Sequence, residues 1–532
     1  MKTLCLLLAL SSISLAQAAE ATAAPAPAVR RPNILFIAVD DLRPELGAYG
    51  HSEIKSPNID ALAKSGIVFE RAYCQQVVCS PTRSSLLTGT RPDTTKVWDL
   101  VTHFRAALPD VVTLPQLFKN NGYFVQGMGK IYHGGYDDPQ SWSVPFATPK
   151  AAVYALPENV ALNARRFEVD PDDETVAAAK TKKGGKGKGK AKAAAAAEPS
   201  VTVPDSMPAH KNIRGPAFEA ADVPDNTFQD GKVAELAIST LQQMSQKKEP
   251  FFLAVGFVKP HLPFVSPKKY WDLYDPAKLE LAPNKFRPKA APDYAILPGG
   301  ELRNYYGIPE GSIPDDLARQ LKHGYHAAVS YTDAQIGLVL AELDRLGLRE
   351  NTIVVLWGDH GWKLGEHDAW CKHSNTENDT NAPLIISAPG LKHAGEHSRA
   401  LVEFVDVYPT LAELAGLPLP AHLEGLSLKP LLEKPAQPWK LAAFSQYPRN
   451  AGKTGAGQLM GYSMRTNRYR LTVWVARDDH TKIDAIELYD HQNDPLENTN
   501  VAKLPANTEL VEQLMAQWRK GWRGAQPLAA KN

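Results

Sequence analysis

Continuous apolar runs alternate with helical patterns along most of the chain, and this alternation constrains the fold more than any other feature. Asn33–Val39 and Phe251–Phe257 are apolar at nearly every position, as expected of strands that are buried on both faces. Tyr123–Met128 and Thr352–Trp357 predict two further strands, and helical patterns such as Asp230–Lys247 lie between them. Such alternation predicts an α/β fold with a large, mainly parallel sheet flanked by helices.

Polar residues follow the carboxyl ends of these four predicted strands. They are Asp40 and Asp41, Lys130 and His133, His261, and Asp359 and His360. In open α/β sheets, ligands bind beyond the carboxyl ends of the strands. Four independent polar clusters at such positions therefore predict that all of them face one site.

The segment from Cys79 to Arg83 predicts the reactive centre of that site. Pro81 suits the first position of a helix, Ser80 can cap it, and Gly89 can end it in a left-handed conformation. Cys79 then faces a helix N-terminus, where the backbone N–H donors, the helix dipole and the guanidinium of Arg83 all favour an anion. A nucleophile and an anion site are thereby predicted side by side, although a buried structural cysteine is the simpler alternative.

Three carboxylates in these clusters indicate a metal ion. Asp40, Asp41 and Asp359 offer hard oxygen ligands, which favour calcium over magnesium because magnesium prefers fewer protein ligands and more water. His360 is an unusual partner for a hard cation. A helix cap or loop pair is the alternative for the two adjacent aspartates, but the second cluster at another strand end favours the metal.

Cleavage of an anionic ester requires charge neutralisation, an activated nucleophile and an acid for the leaving alcohol. Arg83 and Lys130 could steady an ionised nucleophile. His261 follows a strand end between two prolines, in a stiff loop that suits a general acid. His133 could act as a base, and Lys372 could bind an oxygen of the anion. A structural role is the alternative for His261, and a surface position for Lys372.

The sequence CSPTR at residues 79–83 resembles the C-x-P-[ST]-R motif of the type I sulfatases, a family of the alkaline phosphatase superfamily. Similar segments cover nearly the whole chain beyond residue 31 and are found at 31–41, 77–95, 122–133, 250–264, 328–365, 367–375 and 460–475. The pairs Asp359-His360 and Lys130-x-x-His133 differ from those of many sulfatases. Both differences are shared with the iduronate-2-sulfatase branch of that family, which the chain therefore resembles.

The resemblance implies a formylglycine- and calcium-dependent hydrolase of sulfate esters. A maturation enzyme would convert Cys79 to formylglycine (3-oxoalanine), whose hydrate attacks the sulfate ester. One calcium ion per chain is implied. Its implied ligands are Asp40, Asp41, the modified Cys79, Asp359 and His360.

The resemblance also implies a role for each remaining site residue. Arg83 and Lys130 would stabilise the formylglycine hydrate. His261 would assist departure of the alkoxide, with Lys372 on the sulfate. His133 would then take a proton from the second hydroxyl, which expels sulfate and restores the aldehyde.

The expected substrate is a sulfated sugar or oligosaccharide, with a sulfated uronic acid first and another sulfated glycan second. Candidates for binding an acidic sugar are Lys96, Arg105, Lys259 and Trp362. A phosphonate or phosphate-ester hydrolase of the same superfamily is an alternative, because both substrates are tetrahedral oxyanions. A glycan-binding protein that has lost catalysis is another.

The chain is predicted to contain four successive parts. They are a signal peptide at 1–18, an Ala/Pro-rich tether at 19–31, a catalytic domain at 32–438 and a smaller antiparallel α+β subdomain at 439–526. A Lys/Gly/Ala tract at about 172–200 is predicted to be a disordered insertion. The leader predicts export to the periplasm or the medium, with a bacterial route favoured. Neither a membrane span nor a nucleic-acid partner is expected.

Further expectations concern the cysteines and local structure. Three cysteines remain beyond the leader, which argues against a disulfide framework. Cys74 and Cys371 could pair if Cys79 is consumed by oxidation. Residues 135–225 are expected to be irregular, and the long helical pattern at 316–346 is expected to break near Gly324.

Overall fold

The computed structural model describes residues 31–165, 214–450 and 458–527. A seven-stranded mixed sheet lies in the larger part of the molecule, and a four-stranded antiparallel sheet follows towards the C-terminus. The predicted signal peptide, nearly all of the tether and the Lys/Gly/Ala tract lie outside the described residues. The predicted fold class is confirmed.

Four neighbouring parallel strands form one side of the main sheet. Across the sheet the order is His397–Ser398, Ile67–Phe69, Leu384–Ser387, Thr352–Gly358, Asn33–Val39, Phe251–Phe257 and Phe124–Gly129. The last four strands of this order are parallel to one another. Leu384–Ser387 is antiparallel to both of its neighbours. The four strands predicted from apolar runs are therefore the parallel block.

Burial on both faces explains why the central strand is apolar throughout. Ile34 and Phe36 belong to the apolar cluster on one face of the sheet, and Leu35 and Ile37 belong to the cluster on the other. Successive side chains of a strand point to opposite faces, so a strand between two layers needs apolar residues at every position.

The helices have the following bounds. Those of seven or more residues are Pro57–Lys64, Cys79–Thr88, Leu114–Asn120, Pro157–Arg165, Gln229–Ser245, Asp315–Arg345, Val407–Leu414 and Thr508–Arg519. Shorter helices are Pro92–Thr95, Lys268–Trp271, Glu377–Thr380, Lys429–Glu433 and Gly521–Gly524. Leu114–Asn120 begins with a capping box, in which the side chains of Thr113 and Gln116 each accept a backbone N–H.

The helix Cys79–Thr88, called the motif helix below, begins two residues earlier than the sequence predicts. Its N-cap is Val78, whose carbonyl accepts the Thr82 N–H at 3.2 Å. The prediction that Ser80 caps the helix and that Pro81 is its first residue is therefore wrong. The end is as predicted, because Gly89 has φ +67°. Cys79 is consequently the first residue of the helix.

The helix Asp315–Arg345, called the long helix below, is continuous through Gly324, so the predicted break is wrong. A Cβ at this position would lie 2.8 Å from the Trp271 ring and 2.9 Å from Phe264 Cβ. Gly324 therefore serves close packing of the helix against these residues rather than a change of direction.

Residues 135–225 contain more regular structure than predicted. The helix Pro157–Arg165 and the short strands Arg214–Pro216 and Phe218–Ala221 lie there. Phe218–Ala221 pairs in parallel with Phe264–Pro267, which follows the strand and loop that carry His261. The prediction of an irregular region is therefore wrong for these described parts. The remaining short strands are Ala72–Tyr73, Tyr305–Tyr306, Lys363–Leu364, Trp370–Cys371 and Val402–Glu403.

The C-terminal sheet is a simple antiparallel meander. Its strands are Ala443–Asn450, Gln458–Arg465, Tyr469–Ala476 and Asp479–Asp490, in that order. The helix Thr508–Arg519 packs on it through Leu514 and Met515. Buried Arg470 binds Glu497 at 2.6 Å and also pairs with Glu377 of the larger part. This ion pair ties the C-terminal sheet to the region around the main sheet.

Among the helices of the described ranges, none has the length and apolar character needed to cross a bilayer. Cys74, Cys79 and Cys371 are buried free thiols.

Gly324→Ala is expected to destabilise the protein. Alanine in a helix interior is favoured over glycine by about 1 kcal/mol. Overpacking of a core costs about 1–3 kcal/mol. The packing cost should dominate, because Phe264 Cβ is fixed to its backbone and cannot swing away. Chemical denaturation measures the free energy of unfolding.

The exposed Ala341 on the same helix provides the matched control. Ala341→Gly should cost about 1 kcal/mol through helix propensity alone. If Gly324→Ala raised the free energy of unfolding, close packing at Gly324 would be contradicted.

Candidate active site

The parallel block brings the predicted site residues to one edge of the main sheet. The Asp40 N–H donates to the Phe257 carbonyl at 3.2 Å, and the Asp359 N–H donates to the Val39 carbonyl at 3.2 Å. The Lys130 N–H donates to the Gly256 carbonyl at 3.0 Å. Polar residues from four sequence-distant segments thus meet because their strands are neighbours and end at the same level.

Gly256 allows the neighbouring strand Phe124–Gly129, which ends just before Lys130, to approach the strand Phe251–Phe257 closely. A Cβ at Gly256 would lie 2.2 Å from the Lys130 carbonyl oxygen. Because that oxygen belongs to the backbone, no rotamer change could relieve the overlap. The absent side chain therefore sets the position of Lys130 relative to Asp40.

Arg83 is completely buried and connects the motif helix to the strand ends. Its Nε donates to Asp359 Oδ2 at 2.9 Å, and its Nη2 donates to Asp40 Oδ1 at 3.0 Å. Its Nη1 donates to the carbonyl oxygens of Lys130 and Ile131. One planar guanidinium therefore holds the helix against three strands.

Two lysine ammonium groups flank the Cys79 thiol. Lys130 Nζ pairs with Asp40 Oδ2 and lies 3.8 Å from Cys79 Sγ. Lys372 Nζ donates to Asp41 Oδ1 at 2.8 Å and lies 3.5 Å from the same sulfur. Positive charge therefore surrounds the first residue of the motif helix on two sides.

Burial determines the protonation state of the Cys79 thiol. It raises the pKa of Cys79 well above its ordinary value, and the charge of Asp40 adds to this effect. Lys130 and Lys372 oppose the rise without cancelling it. The unmodified side chain is therefore a neutral thiol at pH 7, and a neutral thiol is a weak nucleophile.

The adjacent aspartates differ in their electrostatics. Burial by itself would raise the pKa of Asp40, but Lys130 and Arg83 outweigh burial and hold that pKa well below its usual range. Burial raises the pKa of Asp41, and Lys372 opposes this rise only in part. Asp41 Oδ2 is buried without a hydrogen-bond partner. A buried carboxylate oxygen without a partner is costly, so a cation at this oxygen would satisfy it.

The donor atoms of the site fit a hard divalent cation. Ligand atoms of Asp40, Cys79 and Asp359 lie within 4.8 Å of one another, and so do those of Asp41, Cys79 and His360. His360 Nε2 lies 3.4 Å from Asp41 Oδ1 and 3.5 Å from Cys79 Sγ. Three carboxylates, one imidazole and the residue at position 79 therefore converge, and their role as metal ligands stays a prediction.

The two predicted catalytic histidines have different surroundings. His261 Nδ1 faces the Leu262 carbonyl at 2.6 Å, which leaves Nε2 to serve a second acceptor. His133 Nδ1 is buried without a hydrogen-bond partner. Burial, reinforced by the charge of Lys130, lowers the pKa of His133 to about 4. His133 is therefore neutral at pH 6–7 and able to accept a proton.

Glu301 is a site residue that sequence reasoning missed. Its Oε1 lies 3.0 Å from His261 Nε2, and its Oε2 lies 3.3 Å from Lys372 Nζ. Burial would raise its pKa, but Lys372 and His261 outweigh burial and hold the pKa well below its usual range. Glu301 precedes a single short 3-10 turn and follows no strand of the main sheet. The sequence around it therefore carries no local signal of its position.

Two of the predicted sugar-binding residues make structural contacts instead. Trp362 is completely buried and packs against Phe264, so the prediction that it contacts substrate is wrong. Lys259 Nζ donates to the carbonyls of His261 and Pro263, so this ammonium holds the loop of the histidine.

The other two candidates lie on different parts of the surface. Arg105 Nε and Nη2 both donate to the Asp138 carboxylate at 2.8 Å, which engages the guanidinium in a local ion pair. Lys96 is exposed, and its Nζ lies 5.6 Å from the centre of the Trp98 ring.

Comparison with known proteins gives consistent matches over the chain. The sulfatase family matches residues 32–417, and the C-terminal N-sulphoglucosamine sulphohydrolase family matches residues 365–522. Iduronate 2-sulfatase of Mus musculus is 37% identical and that of Homo sapiens 36% identical, with 88% and 91% of this chain and 90% and 93% of theirs covered. A sulfatase of Formosa agariphila is 30% identical, with 93% of this chain and 88% of its own covered.

Solved structures share the fold. A 2-O GAG sulfatase has a TM-score of 0.65 and 21% identity, with 92% of this chain and 91% of that chain covered. A phosphonate monoester hydrolase of Agrobacterium radiobacter has a TM-score of 0.66 and 22% identity, with 92% and 95% covered.

The fold is shared with solved sulfatase and phosphonate monoester hydrolase structures, and the family match places the chain in the alkaline phosphatase superfamily. The match to the sulfatase family over most of the chain, and the iduronate 2-sulfatases more than 30% identical to it, identify the family within this superfamily. The chain belongs to the sulfatase family and is a sulfuric ester hydrolase, with iduronate 2-sulfatases among its similar relatives.

Arg83→Gln is expected to lower the free energy of unfolding by about 3–5 kcal/mol, because it leaves two buried carboxylates without their partner. Chemical denaturation in one buffer measures this difference. Arg319→Gln is the control, because the Asp316 side chain that pairs with Arg319 is 98% exposed and the loss should stay below about 1 kcal/mol. Equal losses in the two variants would contradict the structural role of Arg83.

Proposed function

We propose that this chain is a formylglycine- and calcium-dependent sulfatase that removes sulfate from a sulfated saccharide. The observation that carries the proposal is the position of Cys79. It is the first residue of a helix, it lies between two ammonium groups, and it faces carboxylates from two strand ends. This arrangement suits an anionic ester held beside a modified side chain.

Calcium is the proposed metal, and its ligands would be Asp40, Asp41, Asp359, His360 and the modified residue 79. The orphaned Oδ2 of Asp41 and the oxygen-rich donor set support this assignment. When bound, the ion would polarise a sulfate oxygen and neutralise negative charge. Arg83 pairs with Asp40 and Asp359 and holds both carboxylates in place.

The charge of the site favours an anionic ester. Four acidic side chains, Asp40, Asp41, Asp359 and Glu301, face the permanent cations Arg83, Lys130 and Lys372. With a divalent cation bound, this set has one positive charge in excess, and the general acid His261 adds a second when both of its ring nitrogens carry protons. This excess favours binding of an oxyanion, and the sulfatase family match favours sulfate over phosphate.

Formylglycine is the proposed form of residue 79. The raised pKa of the thiol argues against direct use of cysteine as the nucleophile. As a hydrate, formylglycine would supply one hydroxyl to attack sulfur as the alcohol leaves, and a second hydroxyl whose loss of a proton would restore the aldehyde as the bond to sulfate breaks. Lys130 and Lys372 lie where they would stabilise negative charge on this side chain.

The two histidines are proposed to move protons at opposite stages. His261 would donate its Nε2 proton to the oxygen that leaves as the alcohol. His133, whose low pKa keeps it neutral, would accept a proton at its ring nitrogen when sulfate is released. Lys372 would hold a sulfate oxygen during both stages.

The proposed substrate is a sulfated uronic acid, and another sulfated glycan is the second choice. The iduronate 2-sulfatases at 36–37% identity support the first choice. A solved structure of similar fold, titled as a complex with D-glucosamine-2-N,6-O-disulfate, supports a sulfated sugar in general. Action outside the cytoplasm, after export, is part of the proposal and rests on the predicted leader.

Cys79→Ala is expected to abolish hydrolysis of sulfate esters while the fold stays intact. The variant cannot form an aldehyde at position 79, so the nucleophile is lost. Rates on one sulfated sugar and one aryl sulfate, with circular dichroism as a check of folding, measure this. Cys74→Ala is the matched control, because that buried thiol lies outside the proposed machinery.

Mass spectrometry of the Cys79 peptide from protein produced with a maturation enzyme should show loss of the thiol in favour of an aldehyde. Retained hydrolysis by Cys79→Ala would contradict the formylglycine mechanism. A wild-type rate on the phosphate ester that matched the rate on the sulfate ester of the same alcohol would contradict the proposed preference for sulfate esters.

Calcium is expected to stabilise the protein by about 2.7 kcal/mol at a concentration 100-fold above its dissociation constant. Thermal unfolding with and without chelator measures the shift in midpoint. Asp41→Asn should remove most of the shift, because it weakens the ligand with the orphaned oxygen. Asp316→Asn, at an exposed carboxylate, should leave it unchanged. An equal shift in both variants would place the calcium elsewhere.

A further inference from the structure

We propose that Glu301 is a positioning residue that aligns His261 and Lys372 on the leaving-group side of the site. This inference rests on the proposed function, and it assigns a role to a residue that no sequence motif marks. Glu301 has a side chain that is 15% exposed, and its two carboxylate oxygens lie against two different site residues. One carboxylate thereby connects the general acid to the lysine that would hold sulfate.

The position of the carboxylate is set by its neighbours in the chain. Leu302 is 1% exposed and belongs to the apolar core, and Tyr305 is 3% exposed. Tyr305–Tyr306 pairs with Arg214–Pro216, which gives the segment a second attachment. Glu301 therefore projects from an anchored segment and can hold another side chain in place.

His261 depends on Glu301 more than Lys372 does. The His261 ring has a backbone partner at Nδ1, so the orientation of the ring is completed by the 3.0 Å contact between Nε2 and Glu301. The next carboxylate, Asp41 Oδ2, is 3.8 Å from Nε2. Lys372 keeps a 2.8 Å hydrogen bond to Asp41 Oδ1 when Glu301 is removed.

Loss of Glu301 should therefore leave the Nε2 N–H without its near acceptor and free to turn towards Asp41, so that the proton is no longer held ready for transfer to the leaving oxygen. When the S–O bond breaks, its electron pair stays on the leaving oxygen, which takes the Nε2 proton. A poor leaving group needs this proton, whereas an acidic phenol leaves as the anion. The effect of losing Glu301 should accordingly depend on the leaving group.

The experiment compares phenyl sulfate with 4-nitrophenyl sulfate, which have nearly the same shape. Glu301→Ala should lower kcat on phenyl sulfate by roughly 10²–10³-fold, within the range for general acid catalysis. It should lower kcat on 4-nitrophenyl sulfate by less than about 10-fold. Glu301→Gln should recover part of the loss, because an amide oxygen still accepts the Nε2 N–H.

Glu350→Ala is the control, since it removes an exposed carboxylate from a different part of the chain. It should leave both rates unchanged. Equal losses on the two sulfates in Glu301→Ala, or no loss on either, would overturn the proposal. If Glu301→Ala fails to fold, Glu301→Gln decides by the same ratio of losses.

Wild-type protein and Cys79→Ala complete the set and separate the two proposals. If the wild type hydrolyses neither sulfate, or if Cys79→Ala hydrolyses both, the proposed mechanism fails whatever Glu301 does. If the wild type is active and Cys79→Ala is not, the ratio of losses in the Glu301 variants tests the positioning role alone.

Discussion

The buried ion pairs of Arg83 are the interaction on which the rest of the site depends. One guanidinium binds Asp40 and Asp359, two carboxylates at the ends of neighbouring parallel strands. Because Arg83 belongs to the motif helix, these ion pairs hold that helix against the strand ends. Taking two carboxylates and a guanidinium out of water is costly unless each is paired with good geometry. The pairing therefore links the register of the strands to the position of Cys79, so that a shift in one would disturb the other.

The same charges account for the chemical character of the site. Lys130 and Lys372 each bind one aspartate and also lie near the sulfur of Cys79. Buried carboxylates keep the lysines protonated and in place, and the lysines in turn favour an anion at the helix N-terminus. Structural ion pairs and anion recognition are therefore served by the same groups, which explains why so many charges are buried at one sheet edge.

Local sequence patterns predicted most of the architecture and failed where packing overrides propensity. The apolar runs identified the four parallel strands, because burial on both faces leaves a continuous pattern. Gly324 was expected to break a helix, yet it packs against Phe264 within an unbroken one. Trp362 was expected at the substrate, yet it is completely buried. In both cases the neighbour that decides the outcome lies far away in the chain.

The sequence by itself determined the parallel block, the motif helix and the residues placed directly after strand ends, since these follow from periodicity and short motifs. Tertiary structure alone decided that Glu301 lies against His261 and Lys372, and that the Lys259 ammonium, a candidate for binding an acidic sugar, donates to loop carbonyls. The physical reason is the separation in sequence of the residues involved. Neighbouring residues determine where a strand or a helix begins, whereas the partner of a buried charge depends on how distant segments pack.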